Sequence, residues 1–345
     1  METTKVAILG ASGYTGMELV RLLLAHPGAQ IAAATSRAHA GKRIDEVYPR
    51  FAGLDGAALS FVEPDMKAVA ASGATVAFLA LPHGTAAHYA TALLDLGLRV
   101  IDLSADFRLR ESSVYEEFYG EPHPAPALLT TAVYGLPEVY REAISSASLV
   151  ASPGCYPTSI LLPLLPLLRE NLVDPSSIVA NSMSGVSGAG RKADLGLLFV
   201  ECNESVRAYG LPKHRHLSEI EQELSAAAGE KVTITFVPHL IPVNNGICTT
   251  TSATLRGDFP RVEHALRSTY ENSSFIRLLG QDACPDTKNV TRTNFVDIGW
   301  IHDERTNRLL LLSAEDNLGK GAAGQALQSF NIMTGLPDMT GLATV

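Results

Sequence analysis

Apolar residues in the first half of the chain fall into short runs, each followed by an amphipathic stretch. Lys5–Leu9 (KVAIL) is such a run, closed by Gly10 and followed by a helical pattern over Tyr14–Ala25. Gln30–Thr35 reads as a second strand. Thr75–Leu81 reads as a third and leads into a helix over Thr85–Leu96, and Arg99–Leu103 is a fourth strand. Short apolar strands that alternate with helices predict a parallel α/β sheet with right-handed crossovers.

The pattern changes near residue 150. A long apolar helix is predicted from Pro157 to about Leu168, kinked at Pro163 and Pro166 because a proline removes one helical N–H and crowds the preceding turn. Strand-like segments then cluster at Ser177–Met183, Val232–Pro238, Gly246–Leu255, Asn294–Trp300 and Arg308–Ser313, before a helix over Gly319–Met333. Clustered strands of this kind predict a mixed or antiparallel sheet. The expected fold is therefore α/β: a Rossmann-type nucleotide-binding domain plus an α+β catalytic domain with a mixed sheet.

Composition narrows the function. The chain has 345 residues, 46% hydrophobic and 18% charged, which suits two domains with sizeable cores and argues against disorder. A net charge of −9 argues against a nucleic-acid partner and requires locally placed cations for any anionic substrate. The four cysteines, Cys155, Cys202, Cys248 and Cys284, form no C-x-x-C pair, as expected of reduced thiols in a cytoplasmic protein. The N-terminal residues lack signal-peptide anatomy, and the most apolar stretch, Ile160–Leu168, is too short to span a bilayer. No membrane association is expected.

Gly10-Ala11-Ser12-Gly13-Tyr14-Thr15-Gly16 follows a predicted strand and opens a predicted helix, the context of a dinucleotide loop. Its G-x-x-G-x-x-G spacing departs from G-x-G-x-x-G but serves the same needs: a tight turn, close backbone approach to pyrophosphate, and N–H groups aimed at the anion. The second strand ends in Thr35-Ser36-Arg37 and meets no acid until Asp45. An acid there would bind the ribose 2′-hydroxyl, whereas Ser36 and Arg37, with Lys42 or Arg43 nearby, suit a 2′-phosphate. The expected cofactor is NADP.

Cys155 lies in Ser152-Pro153-Gly154-Cys155-Tyr156-Pro157-Thr158-Ser159, just ahead of the predicted long helix. Helix N-termini favour thiolate over thiol, so this position suits a nucleophile that captures an acyl group. Ser218 and Glu221 have capping-box spacing, which predicts a helix start at Ser218 and places His214 and His216 on the entering loop as proton-transfer candidates. The H-x-H spacing also suits a metal, but no further cluster clearly completes a site, so no metal is expected. Ser184–Arg191 (SGVSGAGR) and Ser104–Arg108 (SADFR) read either as oxyanion sites or as tight turns with solvated arginines.

With these pieces in place, the chain resembles the N-acetyl-gamma-glutamyl-phosphate reductases, within the wider aspartate-semialdehyde dehydrogenase class. The resemblance rests on GASGYTGMELVRLL (Gly10–Leu24), LPHG (Leu81–Gly84), DLSADFRL (Asp102–Leu109), YGLPE (Tyr134–Glu138) and SPGCYPTS (Ser152–Ser159). It continues through SGVSGAGR (Ser184–Arg191), HRH (His214–His216), PHLIP (Pro238–Pro242) and DNLGKGAAGQALQ (Asp316–Gln328), in order along nearly the whole chain.

The resemblance implies an NADPH-dependent reductive dephosphorylation of an acyl phosphate through a cysteine thioester, in arginine biosynthesis, by a homodimer or homotetramer. It implies that Cys155 is the nucleophile and His214 the acid/base residue, with His216 as its rival. Arg108, Ser184 and Arg191 become substrate contacts. Gly10, Ser12, Gly13, Tyr14, Thr15, Gly16, Ser36, Arg37, Gly188 and Asn317 become cofactor contacts. The last helix is expected to return to the nucleotide domain, giving residues 1–152 with 316–345 for NADP and 153–315 for catalysis and oligomerisation. One departure stands out: the family pattern implies an arginine just before Gly246, and the chain has Asn245. The same chemistry on N-acetyl-aminoadipyl phosphate or aspartyl phosphate, or a non-catalytic NADP-sensing role, are the alternatives.

Overall fold

The computed structural model describes residues 3–342. They divide into two compact units, one formed by the chain up to Pro153 and from Ala322 onward, the other by Gly154–Gly321. Residues 316–321, expected with the nucleotide-binding segments, group with the second unit. The side chains of Asp316 and Asn317 bond to Asn245, Arg292, Gly246 and Ser187 there.

The first unit begins β1 (Thr4–Leu9), α1 (Tyr14–Leu24), β2 (Ala29–Ala34), α2 (Ile44–Val47), α3 (Met66–Ala71) and β3 (Val76–Leu79). It continues α4 (Ala86–Asp95), β4 (Arg99–Asp102), α5 (Ser112–Tyr119), β5 (Val133–Tyr134), α6 (Pro137–Ser146) and β6 (Leu149–Ala151). All strand pairs are parallel, in the order β2-β1-β3-β4-β6-β5. Alternation along β3 divides the core between the two sheet faces. Ala77 and Leu79 join Ala86, Ala87, Ala90 and Leu93 of α4, whereas Phe78 meets Phe330 near the chain's end, ring centroids 5.8 Å apart.

The second unit holds α7 (Cys155–Arg169), β7 (Val179–Gly185), α8 (Phe199–Cys202), β8 (Arg207–Ala208), α9 (His216–Ala228) and β9 (Thr235–Ile241). β10 (Ile247–Thr254), α10 (Pro260–Tyr270), β11 (Ile276–Gln281), β12 (Val296–Asp303) and β13 (Arg308–Glu315) follow. Its mixed seven-stranded sheet runs β11-β12-β13-β10-β7-β9-β8. A π-helical segment over Gly319–Ala323 runs directly into α11 (Gly324–Met333), so the helix expected over Gly319–Met333 is present, and it returns to the first unit.

The largely apolar and buried α7 is the spine of the second unit. The helix continues through Pro163 and Pro166, where a kink is expected, and hydroxyl groups explain how. Pro163 leaves the Ser159 carbonyl without its helical donor, and Ser313 Oγ donates to it at 2.7 Å. Pro166 does the same to Leu162, whose carbonyl accepts from Tyr270 Oη at 2.8 Å. Each orphaned acceptor is thus satisfied inside the core, where an unpaired carbonyl would be costly. Ser159 Oγ and Thr249 Oγ1, 2.8 Å apart, tie the same helix to β10.

Candidate active site and nucleotide loop

In the first unit the glycine loop turns tightly between β1 and α1. Gly10 has φ +79°, and a Cβ there would lie 2.3 Å from the Ala80 carbonyl oxygen. A Cβ on Gly16 would lie 2.2 Å from the Gly10 oxygen. Both positions must be glycine for the loop to close. Gly13 differs: its Cβ would meet only the Gly10 oxygen, at an ordinary 3.7 Å. Packing within the chain therefore does not demand glycine at 13, whereas close approach of a pyrophosphate to the backbone does. Gly13 is the N-cap of α1, which has neither a side-chain cap nor an acid in its first turn, so its end presents N–H dipoles to an anion. Tyr14 and Thr15 open that turn. These features fit a dinucleotide.

Thr35 and Ser36 organise the loop. Gly10 N–H donates to Thr35 Oγ1 at 3.2 Å, and Ser36 Oγ donates to Ser12 Oγ at 2.8 Å. Ser36 is buried and its hydroxyl is turned onto Ser12, so of the two 2′-phosphate candidates Arg37 is the outward one. Its guanidinium donates to Tyr89 Oη at 3.1 Å in an exposed setting.

Arg108, expected to contact substrate, is 8% exposed in the first unit. Its Nε donates to the Ser152 carbonyl at 2.8 Å and one terminal nitrogen donates to that of Leu103 at 3.0 Å. The guanidinium fixes the ends of β4 and β6, and the Ser104–Arg108 segment is a hydrogen-bonded turn. Asp106 within it accepts from Gly84 N–H at 2.7 Å and Ala87 N–H at 2.9 Å, supplying the anion for the α4 N-terminus from outside that helix. Asp102 is fully buried. Burial first, and then the nearby charge of Asp106, push its carboxyl up to about 7.

In the second unit Cys155 is the first residue of α7, half-buried, with Gly154 as N-cap and no acid in the first turn. The Gly154 N–H donates to Glu219 Oε1 at 2.8 Å, and Glu219 is 2% exposed. This bond clamps the start of α7 to α9. The histidines differ from the expectation in one respect: α9 starts at His216, not Ser218. Ser218 Oγ donates back to the Arg215 carbonyl at 2.9 Å, and Glu221 Oε1 accepts from Ile234 N–H at 3.0 Å, so the two side chains never form the capping box. His214 stays on the entering loop, while His216 lies within the first turn, three residues before Glu219.

The rings converge on Tyr156. His214 lies 5.6 Å and His216 5.9 Å from its centroid, with 4.9 Å between the two imidazoles. His214 Nδ1 accepts the His216 backbone N–H at 3.1 Å, which leaves the proton of the neutral ring on Nε2. Burial, assisted by the Arg215 charge, lowers His214 to about 4. Tyr156 and Tyr209 share a hydrogen bond of 2.9 Å. Burial raises both phenols: Tyr156 well above the ordinary range, with Tyr209 and Cys155 contributing, and Tyr209 up to about 12. Both therefore remain protonated donors at neutral pH.

Ser184 is buried at the end of β7, and its hydroxyl donates to the Gly185 carbonyl at 3.1 Å. A Cβ on Gly188 would sit 3.3 Å from Ser184 Oγ and 3.4 Å from Asn317 Nδ2, which brings these three positions together. Asn317 is tied to protein at both ends, Oδ1 accepting from Gly246 N–H and Nδ2 donating to Ser187 Oγ, each at 2.8 Å. Arg191 lies on the exposed loop beyond the Gly/Ser segment. Asn245 has a visible partner: Nδ2 donates to the buried Asp316 carboxylate at 3.2 and 3.3 Å. Sequence reasoning missed Glu219, Tyr209 and Asp316, whose roles rest on partners distant in sequence.

Residues 5–147 match the semialdehyde dehydrogenase NAD binding domain, and residues 155–317 match the semialdehyde dehydrogenase dimerisation domain. A protein of Akkermansia muciniphila named N-acetyl-gamma-glutamyl-phosphate reductase is 61% identical over 344 residues, spanning 99% of both chains. The chain belongs to the N-acetyl-gamma-glutamyl-phosphate reductase family. A second member, from Syntrophobacter fumaroxidans, is 49% identical and covers 98% of this chain and 97% of its own. More distant structures share the fold. Aspartate semialdehyde dehydrogenase with NADP from Candida albicans superposes with TM-score 0.73 at 16% identity, covering 96% of this chain and 99% of its own. Aspartate semialdehyde dehydrogenase II complexed with ASA from Vibrio cholerae gives 0.71 at 18%, covering 97% and 99%. In this chain the segments SPGCYPTS and HRH coincide with the N-terminus of α7 and the entry to α9.

Proposed function

We propose that this protein catalyses the NADPH-dependent reductive dephosphorylation of N-acetyl-L-glutamyl 5-phosphate to the 5-semialdehyde. The observation that carries the reading is the placement of Cys155 as first residue of α7, with Gly154 clamped by Glu219 and two imidazoles against Tyr156. The Cys155 thiol gives up its proton and attacks the acyl carbon. The C–O bond to phosphate breaks, the proton leaves with phosphate, and a thioester remains. The Gly10–Gly16 loop and Arg37 would hold NADPH, which would supply the hydride that reduces the thioester. The tetrahedral adduct then collapses, the C–S bond breaks, the aldehyde leaves, and the Cys155 thiolate takes up a proton from solvent to restore the thiol. Covalent capture divides one difficult reduction into two easier steps.

His214 and His216 are the acid/base candidates. Burial lowers the basicity of His214, whose neutral ring then suits an Nε2–H donor to a substrate oxygen. The N–H groups of Cys155 and Tyr156 open α7, Pro157 having none, and they suit the developing oxyanion, an interaction worth about 3–4 kcal/mol in comparable sites. Ser184 and Arg191 are the substrate-binding candidates of this unit. Residues of the first unit bind NADP, and those of the second carry out catalysis and oligomerisation. Reduced thiols and a biosynthetic reaction agree with a cytoplasmic location.

The decisive assay is the reverse reaction, phosphate-dependent reduction of NADP by the semialdehyde. Its absence would leave the NADP-sensing alternative, and forward turnover of the three acyl phosphates side by side fixes chain length. A second copy of the chain is the expected partner. Leu195, Phe199 and Val200 are 73%, 78% and 83% exposed on the excursion around α8, more apolar surface than an isolated chain ordinarily presents in one segment. Phe199→Asp with Val200→Asp should lower the sedimentation coefficient; an unchanged value would place the interface elsewhere.

A further inference from the structure

Behind Cys155 lies a buried turn that the reaction scheme does not use. Asp316, fully buried at the end of β13, gathers four neutral N–H partners. Oδ1 accepts from Leu318 N–H at 2.7 Å and Gly319 N–H at 2.9 Å, and Oδ2 accepts from Arg292 N–H at 2.6 Å. Asn245 Nδ2 reaches both oxygens. The Asp316 carbonyl accepts from Gly321 N–H at 2.9 Å, closing the turn. A Cβ on Gly319 would lie 2.3 Å from the Thr293 oxygen, which fixes the turn from the other side.

The turn ends against the nucleophile. A Cβ on Gly321 would stand 2.7 Å from Cys155 Cβ, 3.1 Å from the Asp316 oxygen and 3.1 Å from Glu315 Oε1. The first of these is closer than real Cβ contacts approach, and the atom it would meet is not the far end of a flexible side chain. The bare Gly321 backbone is therefore a wall on which the Cys155 Cβ rests. The direction of Cys155 Sγ depends on where Cβ sits and which rotamer the wall permits.

We propose that Asp316, Asn245 and Gly321 form a positioning device that aims Cys155 Sγ. Asn245 locks the carboxylate, the carboxylate shapes residues 316–321, and Gly321 sets the thiol. A displacement of about 1 Å at a nucleophile suffices to cost on the order of a hundredfold in rate. This gives Asn245 a role: a neutral side chain adds a donor to a carboxylate already held by backbone N–H groups and introduces no cation. It gives the glycine-rich segment after Asn317 a use separate from cofactor contact.

The inference rests on reading Cys155 as the nucleophile, and its test is separable from that reading because it needs no substrate. Iodoacetamide alkylation of Cys155 would be followed by peptide mass spectrometry from pH 6 to 10 in the full-length cofactor-free protein, for wild type, Asn245→Ala, Asn245→Asp and Gly321→Ala. NADPH affinity and circular dichroism are measured alongside. Asn245→Ala should keep its fold and NADPH affinity, change the alkylation rate at Cys155 at least threefold, and lower kcat about tenfold with KM little altered. Asn245→Asp sets a second carboxylate beside Asp316 and should change alkylation further, most strongly at high pH. Gly321→Ala should show the largest change if it folds, and Asn245→Ala decides the matter if it does not. Alkylation rates and pH profiles at Cys155 within twofold of wild type in the folded variants would overturn the proposal. Failure of the nucleophile reading shows separately, as turnover retained by Cys155→Ser.

Discussion

His214 offers a direct check on the electrostatics of the second unit. Burial first, and the Arg215 charge second, lower its imidazole from 6.5 to about 4. At ~1.4 kcal/mol for each tenfold change in protonation, keeping this ring neutral against its ordinary basicity amounts to about 3 kcal/mol. Between pH 6.5 and 4 the unfolded ring takes up a proton that the folded ring refuses, so the unfolded state binds more protons. Stability from this group is then fully present above pH 6.5 and is lost as pH falls to about 4. His214→Asn removes the titrating ring but keeps an acceptor for the His216 N–H, because an asparagine oxygen reaches an N–H two residues on. The variant should be less stable at pH 7, having lost the ring contacts to Tyr156, Tyr209 and Phe236. That deficit should shrink by about 3 kcal/mol as pH falls from 7 to 4. Urea unfolding of both proteins across this range reads the difference, and ring-labelled NMR reads the titration of His214 itself. A deficit constant from pH 7 to 4, or a His214 midpoint near 6.5, would refute the reasoning.

Three further outcomes are expected. Gly13→Ala should leave the melting temperature almost unchanged yet weaken NADPH binding at least tenfold, because its Cβ meets nothing closer than 3.7 Å within the chain; an unaltered dissociation constant would remove pyrophosphate from that loop. Arg37→Ala should raise KM for NADPH far more than for NADH, a lost charge-assisted bond being worth ~1.5–3 kcal/mol, and equal effects would deny Arg37 the 2′-phosphate. Asp102, raised to about 7 in the fold from an ordinary 3.8, holds a proton there that the unfolded carboxyl releases, so its contribution to stability declines as pH rises from about 4 through 7. Asp102→Asn should therefore gain thermal stability over wild type at pH 8 relative to pH 5, and a pH-independent difference would contradict the burial argument.

What the sequence made legible was whatever has a local cause. β1, α1, β3, α4 and β10 are long enough, and regular enough in pattern, to be read within a residue or two. β5 and β6 have two and three residues and no period to detect; they become strands because parallel neighbours supply their hydrogen bonds. The helix through Pro163 and Pro166 was legible as a helix, but the hydroxyls that satisfy its orphaned carbonyls come from residues over a hundred positions away. The false capping box has the same origin: Ser218 and Glu221 have the right spacing, but a carbonyl of Arg215 and an N–H of Ile234 take their side chains. Cys155 and the histidines were legible as types in a context. Glu219 was not, since a glutamate on a helix gives no sign that it reaches back to Gly154.

Three helix N-termini show how a chain of net charge −9 handles anions. At α4 the positive end is filled by Asp106, a carboxylate carried by another segment of the same unit, so no ligand is needed there. At α7 Glu219 takes one N–H, that of Gly154, and thereby holds the helix end rigid beneath the nucleophile. At α1 no side chain caps the end and no acid enters the first turn. Filling a helix end with a protein carboxylate stabilises structure, whereas leaving it uncapped costs stability that an incoming anion restores. Arg108 follows the same logic from the cationic side, donating to the carbonyls of Ser152 and Leu103, where it shapes the ends of β4 and β6. The open end of α1 therefore suits an anion, and glycine at 13, where no contact within the described chain requires it, is the more telling residue of the loop.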